Sequence, residues 1–176
     1  MIRLRTTVVL AGLLGLPAAV MGDDAAATST IVLISPAVQQ ALRTVYGEKE
    51  GAVLQQTVRE RAGGALRGTG CDDVAEVEIT LREARPTHPT DKQIADNAAL
   101  DRLRTHYLGG AAFSVRLLAA DGRELKALRY DWYAPNDQLG SHAAGPWGDV
   151  RLASEGLGSQ LAHECRAPRH AHPATS

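Results

Sequence analysis

The chain has 176 residues, of which 44% are hydrophobic and 22% are charged, and its formal charge at pH 7 is −1. This size and composition are typical of a single globular domain. The small net charge gives no electrostatic reason to expect a nucleic-acid partner, and glycines and prolines scattered without period exclude a collagen-like chain.

The beginning of the chain has the pattern of a secretory signal peptide. Two arginines precede an apolar run over residues 8–16, and small residues follow it. The run is about half of the roughly 20 residues that a membrane-spanning helix needs, which favours cleavage over a retained anchor. We therefore predict a signal peptide over residues 1–27, cut after Gly22 or after Ala27. The mature protein is then periplasmic or secreted and has no stable membrane anchor.

Two cysteines remain in the mature chain, Cys71 and Cys165. An even number of cysteines in an exported protein predicts a disulfide, and two cysteines allow only one intramolecular pairing. The chain has no C-x-x-C redox motif that would favour a catalytic thiol. We therefore expect a structural disulfide between Cys71 and Cys165.

The mature chain begins with a strand that leads into helices. Residues 30–34 form a short, mostly β-branched run, and Ser35 followed by Pro36 is typical of a helix cap and a first helical residue. Apolar residues then recur at helical spacing to about residue 66, with an interruption at Gly47. Residues 76–82 alternate between charged or polar and apolar side chains, which predicts a half-buried strand.

A long irregular segment over residues 85–110 follows this strand. We expect two short helical pieces in it, over residues 91–97 and 100–107. A connection of this length inside one domain is uncommon and is usually functional or poorly ordered. The segment is therefore the first place to look for a site.

The last third of the chain predicts a β-hairpin and a helix. Apolar and polar side chains alternate over residues 113–117 and 128–132, on either side of an Asp121-Gly122 turn. After a second loop, apolar residues recur on one face of a predicted helix as far as Cys165. Residues 166–176 have no apolar period and predict a disordered tail. The fold class is then α+β, with a single domain over residues 28–165. We expect a two-layer sandwich in which about four strands form a mainly antiparallel sheet and the helices pack on one face.

A set of turn and cap motifs runs through the predicted domain. The motifs are Arg85-Pro86-Thr87, Asp96-Asn97, Leu100-Asp101, Gly109-Gly110-Ala111, Asp121-x2-Glu124-Leu125 and Trp147-Gly148-Asp149-Val150. In this combination, over about residues 29–165, the chain resembles a group of small exported proteobacterial proteins of unknown function. Their fold is similar to the periplasmic α+β domain of outer-membrane accessory lipoproteins. Because that domain binds other envelope proteins, the resemblance implies a binding or accessory module.

Established catalytic and metal-binding motifs are missing from the sequence. It contains no H-E-x-x-H, no G-x-S-x-G and no phosphate-binding glycine loop. One group near the C-terminus has metal-ligand residue types: His163, Cys165, His170 and His172. We expect Cys165 in the disulfide and the last two histidines in the tail, so we predict neither a metal site nor a cofactor. Loop carboxylates that could serve in glycoside hydrolysis are interpreted as solvated helix caps: Asp91, Asp96, Asp101 and Asp131.

The remaining polar and aromatic residues near the loops predict one candidate binding surface. Its members are Arg85, Thr87, His88, Asp96, Asp101, Tyr133 and Trp147. In one interpretation the polar members hold the middle segment in place and Trp147 covers the edge of the sheet. In the other, the arginine and the aromatic residues form a recognition groove, since such residues dominate binding hot spots.

Two functions from different classes are compatible with this sequence. We expect a non-catalytic domain that binds an envelope protein or another cell-envelope component. The alternative is a small exported hydrolase that uses loop carboxylates with His88, His106 and His142. A histidine hydrogen-bonded to a loop carboxylate at the base of a closed pocket would favour the hydrolase.

Overall fold

The computed structural model describes residues 28–67, 71–135 and 144–166. The predicted signal peptide and all but the first residue of the predicted tail lie outside these ranges. Within them, no helix combines the length and the apolar character needed to cross a membrane.

Four strands form one mixed sheet in the order β1-β2-β3-β4. Their bounds are β1 (Ser29–Ile34), β2 (Glu76–Arg85), β3 (Gly110–Leu118) and β4 (Glu124–Tyr133). β1 runs parallel to β2, and the other two pairings are antiparallel. The α+β class, the mainly antiparallel sheet and the hairpin are therefore confirmed. β2 continues beyond its alternating pattern because a bulge between Leu81 and Glu83 shifts the register without ending the pairing.

The helices and their π-helical extensions follow the strands in chain order. They are α1 (Pro36–Ala41) continued by a π-helical turn (Leu42–Tyr46), α2 (Glu50–Val58) continued by another (Arg59–Gly63), α3 (Asp91–Asp96) and α4 (Gly148–Arg166). Ser35 caps α1 as predicted, since its hydroxyl accepts from the backbone N of Val38. The predicted interruption at Gly47 is confirmed, and its φ of 103° suits only glycine.

The second helical piece predicted in the middle segment, over residues 100–107, is wrong. The carboxylate of Asp101 accepts hydrogen bonds from the backbone N of Leu103 and Arg104 and closes a single turn there. The chain then runs extended, because the backbone N of Tyr107 donates to the carbonyl of Thr87. This hydrogen bond takes the N–H that a helix would direct to the carbonyl four residues earlier, so the turn does not continue as a helix. Arg166, predicted as the first residue of the tail, is instead the last residue of α4.

The core joins alternate residues of the sheet to the apolar sides of the helices. The fully buried members include Val77, Ile79, Phe113 and Val115 from the strands and Leu54, Val150, Leu157 and Leu161 from the helices. α4 also contacts the segment after α2 closely, because a Cβ added at Gly158 would lie 2.8 Å from the Cβ of Ala65. This approach explains a glycine that costs a helix about 1 kcal/mol relative to alanine.

The predicted disulfide between Cys71 and Cys165 is confirmed. Their Cα atoms lie 5.1 Å apart across a sequence separation of 94 residues. Both cysteines are buried within the hydrophobic core. The disulfide thus joins the segment that precedes β2 to the last turn of α4.

Candidate functional site

The candidate site lies where β2 and β4 end and β3 begins. The register places Arg85 opposite Gly110 and Gly110 opposite Tyr133, so one row crosses three strands. Neighbours of this row, Ala84 and Trp132, pack in or against the core. Because side chains alternate between the two faces of a sheet, Arg85 and Tyr133 lie on the opposite, outer face.

Gly110 allows the ring of Tyr133 to cross β3. A Cβ at this glycine would lie 2.7 Å from Cδ1 of Tyr133 and 2.3 Å from the carbonyl oxygen of Trp132. With no side chain in the way, the Tyr133 hydroxyl reaches β2 and donates to Oε2 of Glu83 at 2.8 Å. The guanidinium carbon of Arg85 lies 4.8 Å from the centroid of the same ring. Glu83, Arg85 and Tyr133 together form what we call the Arg85–Tyr133 patch.

The three groups of the patch hold one another in fixed ionisation states. Arg85 donates from Nε to Oε1 of Glu83 at 2.7 Å. The hydrogen bond from Tyr133 lowers the pKa of the Glu83 carboxyl, and the bond from Arg85 lowers it further. Burial and the adjacent carboxylate raise the pKa of Tyr133 to about 12. At neutral pH the patch therefore presents a carboxylate, a guanidinium and a neutral phenol.

We expect Tyr133 to lose its proton at about pH 12 and not near its ordinary pKa of 10.0. Since the folded pKa is the higher one, the stabilisation from the neutral phenol is complete below pH 10 and is lost as the pH rises through about 12. Glu83→Gln removes the nearby charge and moves the pKa down, although burial still raises it. Phenolate absorbance of the folded protein, with Tyr133→Phe subtracted, measures this shift. A Tyr133 pKa that Glu83→Gln leaves unchanged would contradict the hydrogen bond to Glu83.

Trp147 is not part of the patch surface. It is 6% exposed, its indole donates from Nε1 to Oε2 of Glu50 at 2.6 Å, and it makes an edge-on contact with Tyr46. The tryptophan thus joins the start of α2 to the start of α4. A partner cannot contact this ring without rearrangement of the core.

Thr87 connects three parts of the chain from a buried position. Its hydroxyl accepts from the backbone N of Asp149 at 2.9 Å, in the first turn of α4. Its own backbone N donates to the carbonyl of Pro146, and its carbonyl accepts from Tyr107. Asp149 in turn accepts from the backbone N of Gly109 at 3.1 Å. Thr87 therefore fixes the middle segment to the beginning of α4.

The two predicted acidic members of the surface act within the middle segment. Asp96 forms an ion pair with Lys92 one turn earlier in α3. Asp101 closes the turn described above with its carboxylate. Both lie on exposed chain, and neither approaches the Arg85–Tyr133 patch through a hydrogen bond or an ion pair in the described structure. The interpretation of local structural contacts fits these two residues.

His88 lies against a second histidine in the same segment. The two rings, of His88 and His106, have centroids 4.5 Å apart, and Nδ1 of His88 lies 3.3 Å from the carbonyl oxygen of Thr105. Nδ1 of His106 is buried and has no hydrogen-bond partner in the described structure. Among the described residues, neither ring forms a hydrogen bond with a carboxylate, and His142 lies outside those residues.

In the part of the chain that the structure describes, no three His, Cys, Asp or Glu side chains come close enough together to hold a metal ion. His170 and His172 lie outside that part. Cys165 is in the disulfide.

No protein-family model, curated protein or solved structure matches this chain. The similarity to accessory lipoprotein domains therefore stays a prediction.

Sequence reasoning identified Arg85 and Tyr133 but not the two residues that bring them together. Glu83 belongs to an alternating strand in which it is one charged residue among several, and only the bulge places it under the Tyr133 hydroxyl. One signal for this contact was present in the sequence, the Gly109-Gly110 pair at the start of a strand. A glycine in a strand often marks a place where another group comes close to the backbone.

Proposed function

We propose that this chain is an exported, non-catalytic domain that binds an envelope protein or another cell-envelope component through the Arg85–Tyr133 patch. Export rests on the signal-peptide pattern, and the disulfide fits an oxidising compartment. The scaffold is a two-layer sandwich whose helices lie on one face of the sheet. The alternating burial of β2 supports this arrangement, as does the core that its buried residues share with α2 and α4.

The observation that carries this function is an exposed arginine held rigidly over a tyrosine. The side chain of Arg85 is 58% exposed although Glu83 and Tyr133 fix its position. A side chain that is ordered before binding loses less conformational entropy when a partner arrives. Arginine and tyrosine are also the residue types enriched in binding hot spots.

The fixed ionisation states of the patch also favour recognition. A general acid or base works best when its pKa lies near the operating pH. The pKa of Glu83 is lowered and that of Tyr133 is raised to about 12, so both move away from neutrality. The free side of the guanidinium instead offers N–H donors that suit a carboxylate or a backbone carbonyl of a protein partner.

Site-specific photocrosslinking in the native envelope tests this function. A photoreactive residue at position 82, which is exposed and adjacent to Glu83, is expected to capture a discrete envelope component. Position 104, exposed in the turn of the middle segment, is the matched control site. Adding Arg85→Ala is expected to reduce the yield at position 82 at least tenfold, as for a hot-spot residue of about 2 kcal/mol or more. Capture that is equal at both positions, or unchanged by Arg85→Ala, would refute binding at the patch.

A further inference from the structure

The two open edges of the sheet are protected to different degrees. In β1, the backbone N of Ser29 and of Ser35 donate to carbonyls on the β2 side, so the alternate residues 30, 32 and 34 turn their backbone groups to the open edge. Gln55 donates from Nε2 to the carbonyl of Val32 at 3.0 Å, and Gln39 does the same to Ile34 at 3.0 Å. Side chains from α1 and α2 thus occupy the edge of β1, which blocks the addition of another strand.

The edge of β4 has no such cover among the described residues. The backbone N of Ala134 donates to the carbonyl of Gly109, so even-numbered residues of β4 face β3 and odd-numbered residues from 127 to 133 face outwards. No hydrogen bond within the described structure reaches these outward backbone groups. The same stretch carries two exposed charges, Arg129 and Asp131, and neither forms an ion pair within the described ranges.

We propose that β4 is the interface between two copies of this chain. The two β4 strands pair antiparallel around a two-fold axis at Tyr130, so that one sheet runs through both copies. In this register Arg129 lies opposite Asp131 of the second copy, and the pair occurs twice by symmetry. The backbone N–H and C=O groups of Arg129 and Asp131 point towards the open edge. This is the orientation that a hydrogen-bonded pair in an antiparallel ladder requires.

Charge selects this register over its neighbours. A slip of two residues in one direction places Arg129 opposite Arg129, and a slip in the other direction places Asp131 opposite Asp131. Like charges directly opposite destabilise a strand pair, whereas opposite charges stabilise it. A slip of one residue would set the outer face of one copy against the core face of the other. The chosen register also places Ala127 opposite Tyr133, so no large side chain of the second copy lies directly opposite the tyrosine of the patch.

The core face of β4 is suited to the same pairing. Leu128, Tyr130 and Trp132 pack against the core yet stay only partly buried in one copy. The pairing places Tyr130 opposite its own equivalent and Leu128 opposite Trp132, so each side chain gains an apolar neighbour.

Both copies of α4 fit on the shared sheet. Within one copy, α4 packs against β3 and β4. With each α4 over the middle of its own β3–β4 pair, the two helix axes lie two strand spacings apart, about 10 Å. Two packed helices need about 8–10 Å. The two patches then lie on the same outer face, one on each side of the axis.

The molecular mass of the mature chain with its disulfide intact, measured by analytical ultracentrifugation, tests the interface. We expect the wild type to form dimers. Arg129→Asp and Asp131→Arg should each weaken dimerisation about tenfold or more, since two attractive pairs become repulsive. The double variant Arg129→Asp/Asp131→Arg restores complementarity and should dimerise again. An equimolar mixture of the two single variants should form the mixed dimer.

A matched control separates these effects from a general effect of charge. Arg104→Asp makes the same charge change in the middle segment and should leave dimerisation unchanged. A wild type that stays monomeric up to about 1 mM, where even an association of about −4 kcal/mol is visible, would overturn the proposal. Equal dimerisation of Arg129→Asp and wild type would overturn it too. So would a double variant that does not regain the ability to dimerise. The proposal would also be overturned if the chain were monomeric and a photoreactive residue at position 129 crosslinked it to a different protein.

Discussion

Replacing both cysteines, Cys71→Ala/Cys165→Ala, is expected to lower the free energy of unfolding by about 2–5 kcal/mol. The disulfide closes a loop with a sequence separation of 94 residues, so its loss frees a large part of the unfolded chain. The upper half of that range is expected, because the entropic stabilisation grows with loop length. A domain of this size has only about 5–15 kcal/mol in total, so the loss is a large share.

Urea unfolding of the double variant, followed by circular dichroism, measures this effect. Wild type treated with a reducing agent serves as a second route to the same state and should lose a similar amount. Replacing both cysteines avoids the free buried thiol that a single substitution would leave. A variant within about 1 kcal/mol of wild type would mean that packing around α4 alone fixes this end of the domain.

The disulfide and the Arg85–Tyr133 patch lie at opposite ends of α4. Cys165 is in the last turn of the helix, whereas Thr87 fixes its first turn and Arg85 lies two residues before Thr87. We therefore expect the double cysteine variant, at a temperature where it is folded, to retain the photocrosslinks of position 82. The domain separates the site of its covalent stabilisation from the site of its proposed binding.

Local sequence patterns predicted the elements of this fold better than their mutual arrangement. The alternation of Val77, Ile79 and Leu81 requires one buried face, and the structure has it. The disulfide followed from counting cysteines. The helix predicted over residues 100–107 failed because the backbone N of Tyr107 donates to the carbonyl of Thr87 and not to the carbonyl four residues earlier that a helix requires. That acceptor lies outside the window that shows helical spacing.

The candidate site was only half predictable for a related reason. Arg85 and Tyr133 have the residue types of a binding surface, so composition indicated them. Their contact, however, depends on the register of three strands and on the bulge before Glu83, which no periodicity encodes. Trp147 shows that residue type alone does not identify a surface, since a residue type common at interfaces is buried here beside Tyr46.

Gly110→Ala is expected to destabilise the domain by about 3 kcal/mol or more and to disrupt the patch in any folded fraction. Its φ of 146° is unfavourable for alanine, and its Cβ would lie 2.3 Å from the carbonyl oxygen of Trp132. The strain of such a backbone costs about 1–3 kcal/mol, and crowding against main-chain atoms that cannot rotate away adds about 1–3 kcal/mol. The new methyl group also occupies the path of the Tyr133 ring, which lies 2.7 Å from the Cβ position.

Gly122→Ala separates the two contributions to this cost. Gly122 also has a positive φ, 79°, but no atom lies within 4 Å of its Cβ position, so this variant has backbone strain without crowding. We expect it to lose about 1 kcal/mol in urea unfolding. The excess loss in Gly110→Ala then measures how closely β4 approaches β3. Equal losses in the two variants would contradict the crossing of Tyr133 over Gly110, and with it the contact that orders Arg85.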